Sequence, residues 1–223
     1  MTEIRALQQP SEWREAVQIQ KAVWNFDDVD IVPARLFRVA SDIGGHTAGA
    51  FVGDRMVGFC LALPGLKFGQ GYLHSHMVGV LPEFRDVGIG HQLKFAQREF
   101  ALAHHLDRIE WTFDPLELKN AYFNIVRLGA IVRRLTFNQY GLTSSPLHGG
   151  LPTDRCTAEW WISKPRVDAP ITHRVSVPAG RTREIQAQVS EELAECFRGD
   201  LAVIGFERNG DAGVYLLGSW ESK

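Results

Sequence analysis

His74 and His76 stand two residues apart in the run Tyr72-Leu73-His74-Ser75-His76-Met77-Val78-Gly79-Val80-Leu81. Such a run reads as a strand, on which residues two apart project on the same face, here in line with Val78 and Val80. Paired imidazoles can pass protons near neutral pH, ligate a metal, or sit partly buried and bonded to neighbouring backbone. The metal option lacks an evident third ligand. Immediately downstream, Arg85-Asp86-Val87-Gly88-Ile89-Gly90 separates this strand from a long helix. Two glycines let the backbone approach anionic oxygens, successive N–H groups and a helix N-terminus attract them, and Arg85 adds a guanidinium. The chemistry on offer is the binding of a phosphate-bearing ligand beside a proton acceptor, although a plain strand-to-helix turn has the same residues. Asp86 opposes an anion unless its side chain points away. A dinucleotide fingerprint is excluded, because the full G-x-G-x-x-G is missing and the glycines sit mid-chain.

The elements that must position these residues follow from periodicity and breakers. Ile4–Leu7 reads as a strand, followed by a helix from Pro10-Ser11 that carries Trp13, Val17, Val23 and Trp24. The acidic loop Asp27–Asp30 precedes a second helix, which opens at Pro33 and stops at Gly44-Gly45. Thr47–Val52 and Met56–Leu63 form a hairpin, with Pro64-Gly65 breaking the chain before the strand from Tyr72 to Leu81. In the long helix Ile89, Leu93, Ala96, Phe100 and Ala103 make one apolar stripe. Arg108–Phe113 is a strand. Asp114 caps a helix with Pro115 in its first turn and Gly129 at its end. Ile131–Tyr140 and Thr157–Ile162 are strands around a Thr143–Pro152 loop, and Trp160 and Trp161 alternate faces. Pro165–Pro170 is a linker to a strand (His173–Val177), a helix (Arg183–Phe197) and a hairpin (Leu201–Phe206 with Val214–Leu217) turned at Asn209-Gly210-Asp211. The domains expected are 1–165 and an extension, 166–223, that packs on the first or on another subunit as a homodimer.

Composition narrows the function classes. A formal charge of −2 without a long basic run disfavours nucleic acid. No apolar stretch approaches a membrane span, and three dispersed cysteines with no signal-like start suit a soluble, cytoplasmic protein. At 45% hydrophobic and 22% charged residues, the chain can bury a real core.

The stretch Val80-Leu81-Pro82-Glu83-Phe84-Arg85-Asp86-Val87-Gly88-Ile89-Gly90 resembles the GNAT superfamily, whose R/Q-x-x-G-x-G/A motif follows a strand and opens a long helix. The element order βααβββαβαββ is also similar over about residues 3 to 164. The resemblance implies an α/β fold with a central mixed sheet, splayed strands and flanking helices. It implies acetyl-CoA or another acyl-CoA as co-substrate and no metal. The pantetheine would pair with backbone near Val78 and Val80, and the pyrophosphate would bind at Arg85, Val87, Gly88, Ile89, Gly90 and His91. The implied activity is acyl transfer to a primary amine of a small molecule or amino acid. Trp111–Pro115, Asn120–Asn124, Leu128-Gly129 and Thr153–Arg155 further resemble a bacterial acyltransferase branch with members linked to amino-acid N-succinylation, so succinyl-CoA is an alternative donor. A CoA-binding regulatory module without turnover is another.

Within that chemistry an ammonium must lose a proton before it attacks a thioester. His76, helped by His74, is the favoured base; Glu110 on Arg108–Phe113 is the rival, with an ion pair as its ordinary explanation. Many family members carry a tyrosine four residues before the glycine of the Leu-Gly pair, where this chain has Ile125. Tyr122, one turn earlier, is the substitute acid. Asn120 is expected at the CoA arm, or else is a surface amide.

Overall fold

A computed structural model describes residues 2–67, 69–141, 145, 149–164 and 168–220. Its contacts divide the chain into two compact units, Met1–Ile109 with Ser144–Leu147 and Glu110–Thr143 with His148–Lys223. Helices lie against mostly antiparallel strands, as expected of an α/β chain.

In the first unit the strands β1 (Thr2–Ala6), β2 (His46–Val52), β3 (Arg55–Lys67) and β4 (Gln70–Val80) pair in sequence order, all antiparallel. Helices α1 (Pro10–Trp24) and α2 (Ala34–Asp42) contribute Ile19 and Phe37 to one apolar cluster with Phe59, Leu61 and Met77. Helix α3 (Ile89–Ala103) contributes Ile89 and Leu93 to another, with Val57, Cys60, Val78 and Val80. The acidic segment forms a 3-10 turn at Asp28–Asp30, and Lys21 pairs with Asp28 at 2.6 Å. Buried Gln20 holds both backbone groups of Val32, fixing the entry to α2.

Two sequence expectations change here. Pro64-Gly65 does not break the strand: β3 continues to Lys67, pairing Pro64 with Leu73 and Gly65 with Tyr72. Because β2 pairs with β3 only as far as Ala62, Pro64 sits where the strand has a single neighbour, which is where a missing N–H is tolerated. The buried stripe of α3 is also rotated. Ile89, Leu93, Lys94, Gln97 and Ala101 face inward, whereas Ala103 is exposed, because Lys94 and Gln97 find a polar partner on the sheet.

The second unit orders its strands β5 (Arg108–Phe113, which enters from the first), β7 (Arg155–Trp161), β6 (Ile131–Thr136), β9 (Leu201–Asn209), β10 (Ala212–Ser219) and β8 (His173–Val177). β9 joins β6 at Val132 and Val203, and α5 (Arg183–Arg198), capped by Thr182, packs on β6, β8 and β9. Trp160 is core, set edge-on to Trp111, while Trp161 packs on Trp220. The strand predicted to reach Tyr140 ends at Thr136, since the Thr153 and Asp154 side chains take the N–H groups of Tyr140 and Asn138 out of a ladder. Residues 165–167 of the expected linker, and residues 143, 144 and 146–148 of the Thr143–Pro152 loop, lie outside the described residues.

The helix expected from Pro115 begins only at Leu118, as α4 (Leu118–Ala121), and continues as a π-helical turn, Tyr122–Arg127. Asp114 is therefore not its cap. Instead its Oδ1 accepts from the Leu116 N–H and its Oδ2 meets Arg181 at 2.6 Å. The Pro115 carbonyl accepts a 2.7 Å hydrogen bond from the Tyr215 hydroxyl, which holds this peptide out of the helix. Tyr215 is fully buried. Tyr215→Phe is expected to cost roughly 1–2 kcal/mol of unfolding free energy in urea, because the buried carbonyl loses the hydroxyl that donates to it. An unchanged midpoint and slope would contradict this role.

Candidate functional site

The loop after β4 is shaped by backbone conformation. A 3-10 turn, Pro82–Phe84, leads to Arg85, whose Nε donates to the Val80 carbonyl at 3.1 Å and ties the loop to the strand it leaves. Asp86 and Gly88 then take left-handed backbone conformations, φ 62° and 88°. Gly88 is the residue before α3, where no side chain could adopt that φ without strain. The first bond of α3 runs from Gln92 N–H to the Gly88 carbonyl at 3.1 Å, so Ile89, Gly90 and His91 present the N–H groups of a helix start. Open space surrounds Gly90, Ile89 is anchored in the core, and Val87 is 68% exposed. His91 stacks on Phe95 at 4.3 Å. Asp86 is exposed. Backbone donors, a helix N-terminus and a nearby guanidinium make this loop fit an anion such as a pyrophosphate.

Strand β4 departs from the simple alternation expected of it. Its register on β3 steps from Leu61–Met77 to Ala62–Ser75, leaving His76 as the extra residue of a β-bulge. The expected single row of His74, His76, Val78 and Val80 is corrected accordingly. Val78 and Val80 pack with Ile89 and Leu93 of α3, as does Ser75 with Lys94 and Gln97. His74 is paired with Leu63, which packs against the opposite cluster. The two histidines nevertheless remain neighbours, with ring centroids 6.0 Å apart, and Tyr72 meets His74 edge-on at 6.5 Å. His76 is solvent-accessible, yet partial desolvation lowers its pKa, favouring the neutral base at pH 7.

Behind the bulge lies a polar cluster that sequence reasoning missed. Lys94 Nζ donates to Ser75 Oγ at 2.8 Å, and Ser75 Oγ donates to Gln97 Oε1 at 2.8 Å. All three residues are buried. Burial drives the Lys94 pKa down to about 7 and the nearby Cys60 thiol up to about 12. The available signal was the three-residue spacing of Lys94 and Gln97 beside Leu93 on the inner face.

The remaining candidates belong to the second unit. Glu110 is buried and its Oε2 pairs with Arg134 at 2.9 Å; Arg134 also meets Glu159, which Arg133 engages at 2.7 Å. A bulge in β6 between Val132 and Arg134 lets consecutive arginines reach one carboxylate. Tyr122 opens the π-helical turn and is 40% exposed, Ile125 is fully buried, and Asn120 is exposed. Asn124 is buried, accepting from the Trp111 indole at 3.1 Å. Among the described residues no group of three or more His, Cys, Asp or Glu could hold a metal, and no helix is long and apolar enough to cross a membrane.

Residues 6–123 match the sequence model of the acetyltransferase (GNAT) family. No curated protein sequence matches the chain. Among solved structures, a GNAT-family acetyltransferase from Desulfovibrio desulfuricans superposes with a TM-score of 0.58 at 13% identity, covering 73% of this chain and 100% of its own. The ribosomal-protein-S18-alanine N-acetyltransferase of Escherichia coli gives 0.57 at 13% identity, with 74% and 96% covered. An aminoglycoside 6'-acetyltransferase type Ii gives 0.58 at 16%, with 73% and 99% covered. At these identities the likeness is one of fold.

The buried lysine yields a pH-linked prediction. The unfolded chain holds the Lys94 proton up to about pH 10.5 and the folded chain only to about 7, so this group's stability contribution is complete above pH 10.5 and is lost as pH falls towards 7. Lys94→Met removes that dependence. Compared by urea unfolding at pH 9 and pH 6.5, the difference between variant and wild type is expected to shift by more than about 1 kcal/mol in favour of methionine at the lower pH. A difference independent of pH would contradict a neutral buried lysine.

Proposed function

We propose, on the premise that this chain belongs to the acetyltransferase (GNAT) family, that it moves an acetyl or other short acyl group from acyl-CoA to the primary amine of a small molecule or amino acid. The general activity, acyl-CoA-dependent N-acyl transfer, is that of the family. The observation that carries the rest is the Arg85–Gly90 loop, whose helix-start N–H groups and open Gly90 suit the pyrophosphate of CoA. With the pyrophosphate there, the pantetheine runs along β4 past Val80 and Val78, and its thioester reaches the bulge at His76.

In this reading His76 takes a proton from the acceptor ammonium, helped by His74. The free amine attacks the thioester carbonyl, the tetrahedral adduct collapses, and the C–S bond breaks. The sulfur departs as thiolate and takes up the proton that the nitrogen loses as the adduct collapses, so the products are the amide and CoA thiol. A thiol of pKa about 8.5 is a competent leaving group, so the buried Ile125 in place of a tyrosine does not stop the reaction. Glu110 is a poorer base, since accepting a proton would weaken its pair with Arg134. Residues 1–165 form the acyltransferase part in this reading, with 166–223 as an extension. Succinyl-CoA remains the alternative donor on the resemblance of Trp111–Pro115 and its companion segments.

Two outcomes test it. Gly90→Asp puts a carboxylate into open space at the helix start, so the protein should fold while acetyl-CoA affinity, measured by calorimetry, falls at least about tenfold. Unchanged affinity would remove the loop from the site. With a neutral imidazole as base, kcat/KM should drop on the acid side with an apparent pKa below the usual 6.5, following the lowered His76 value. His76→Ala should abolish that limb and lower kcat more than it weakens acetyl-CoA binding. Retention of the limb in the variant would assign it elsewhere.

A further inference from the structure

Lys94 has no part in the transfer steps, yet it stands between the strand and the helix from which the CoA site is built. It lies four residues along α3 from Gly90, roughly 6 Å of helix rise from the turn that the pyrophosphate occupies in the proposed reading. Its Nζ donates to Ser75 Oγ on β4, the residue before the His76 bulge, and Ser75 Oγ donates on to Gln97. None of the three is more than 4% exposed. An amine in such a place gives up its charge readily, because water no longer solvates the ammonium, and the Lys94 pKa falls to about 7. The same lack of water leaves it poorly screened from any charge that arrives at the helix start. Helix α3 packs on β1, β2, β3 and β4, whose titratable groups on that side hold fixed states near neutral pH. Cys60 on β3 is pushed up to about 12 and stays a thiol, while His46 on β2, 3.9 Å from the Cys60 sulfur, is pushed down to about 4 and stays neutral. β1 contributes Ile4 there, and at the bulge His76 is held below the ordinary imidazole range. On α3 itself His91 stands in the loop, and His104 stacks on Phe100 at the far end.

We propose that acyl-CoA binding puts a proton on Lys94, so that a buried ammonium arrives behind the bulge together with the thioester. This inference rests on the reading that the pyrophosphate occupies the Arg85–Gly90 loop. The bound cofactor brings the negative charges of its pyrophosphate to the start of the helix that carries Lys94, and negative charge nearby favours the charged form of an amine. The lone pair of the lysine nitrogen takes up a proton drawn from the buffer, and the Ser75 hydroxyl accepts one of the resulting N–H bonds. The coupling runs both ways. Affinity for acyl-CoA is higher where the lysine is already protonated, and falls as pH rises from 7. Lys94 is a regulatory residue in this account and exchanges no proton with the acceptor amine.

Calorimetric titration with acetyl-CoA at pH 7.5 in HEPES and in Tris, buffers of different ionisation enthalpy, counts the protons taken up on binding. Lys94→Met and Lys94→Gln remove the share of the lysine and leave that of His91 and of the ligand's own phosphates. A group of pKa about 7 is about three-quarters neutral at pH 7.5, so the wild type is expected to take up at least about 0.3 proton more per acetyl-CoA than either variant. In the wild type alone the uptake should peak above pH 7, and log Kd should rise with pH by the number of protons counted. Equal uptake by the wild type and a folded variant would overturn the proposal while leaving the CoA site standing. A wild-type uptake that peaked below pH 7, where ordinary imidazoles titrate, would overturn it in the same way. Absence of acetyl-CoA binding would overturn it together with the function from which it starts.

Discussion

The bulge at His76, held from behind by Ser75, Lys94 and Gln97, is the constraint on which the first unit depends. A strand of strict alternation would turn His74, His76, Val78 and Val80 to one side. The extra residue instead lets the two halves of β4 serve different faces. Towards its C-terminal end, Val78 and Val80 pack under α3 and so fix the helix whose start forms the loop. Towards its N-terminal end, the rings of Tyr72, His74 and His76 follow one another as neighbours. Burying an amine is costly, and the protein lowers the cost by letting Lys94 lose its proton near neutral pH and by giving it the Ser75 hydroxyl.

The second unit resolves its own buried charges in a different way. Glu110 and Glu159, both nearly inaccessible, pair with Arg133 and Arg134, and the β6 bulge is what aligns two successive arginines with them. Removing one partner from such a group strands the other, which is a sufficient reason for Glu110 to be where it is. In the first unit, His46, stacked on Phe100 of α3 and desolvated so that its pKa falls to about 4, adds an acid-side weakness of a related kind. It enters the folded protein neutral, so its contribution to stability is lost as pH falls from about 6.5 towards 4.

Much of this was legible from local signals. The strand before Pro82, the turn at Gly88 and the helix that opens at Ile89 each carry a local reason, and they stand where those reasons put them. What failed did so where a distant partner overrides the local rule. Pro64 reads as a breaker until β2 is seen to stop at Ala62; Asp114-Pro115 reads as a helix start until Tyr215, 100 residues later, takes the carbonyl of Pro115. The bulge is harder still, because one inserted residue in β4 shifts every later side chain and leaves no mark in the pattern of apolar residues. Lys94 and Gln97 look like solvent-facing positions unless Ser75 is known to face them.

The central claim is that acyl-CoA is held by the β4–α3 junction, with pyrophosphate at the loop and pantetheine along the strand. Amide hydrogen exchange with and without acetyl-CoA examines it most directly. The account predicts slowed exchange at Val87 to His91, and at Val78 and Val80, on adding the ligand, because those N–H groups gain an acceptor or lose contact with water. Saturating acetyl-CoA that slowed exchange elsewhere and left these amides unchanged would contradict it.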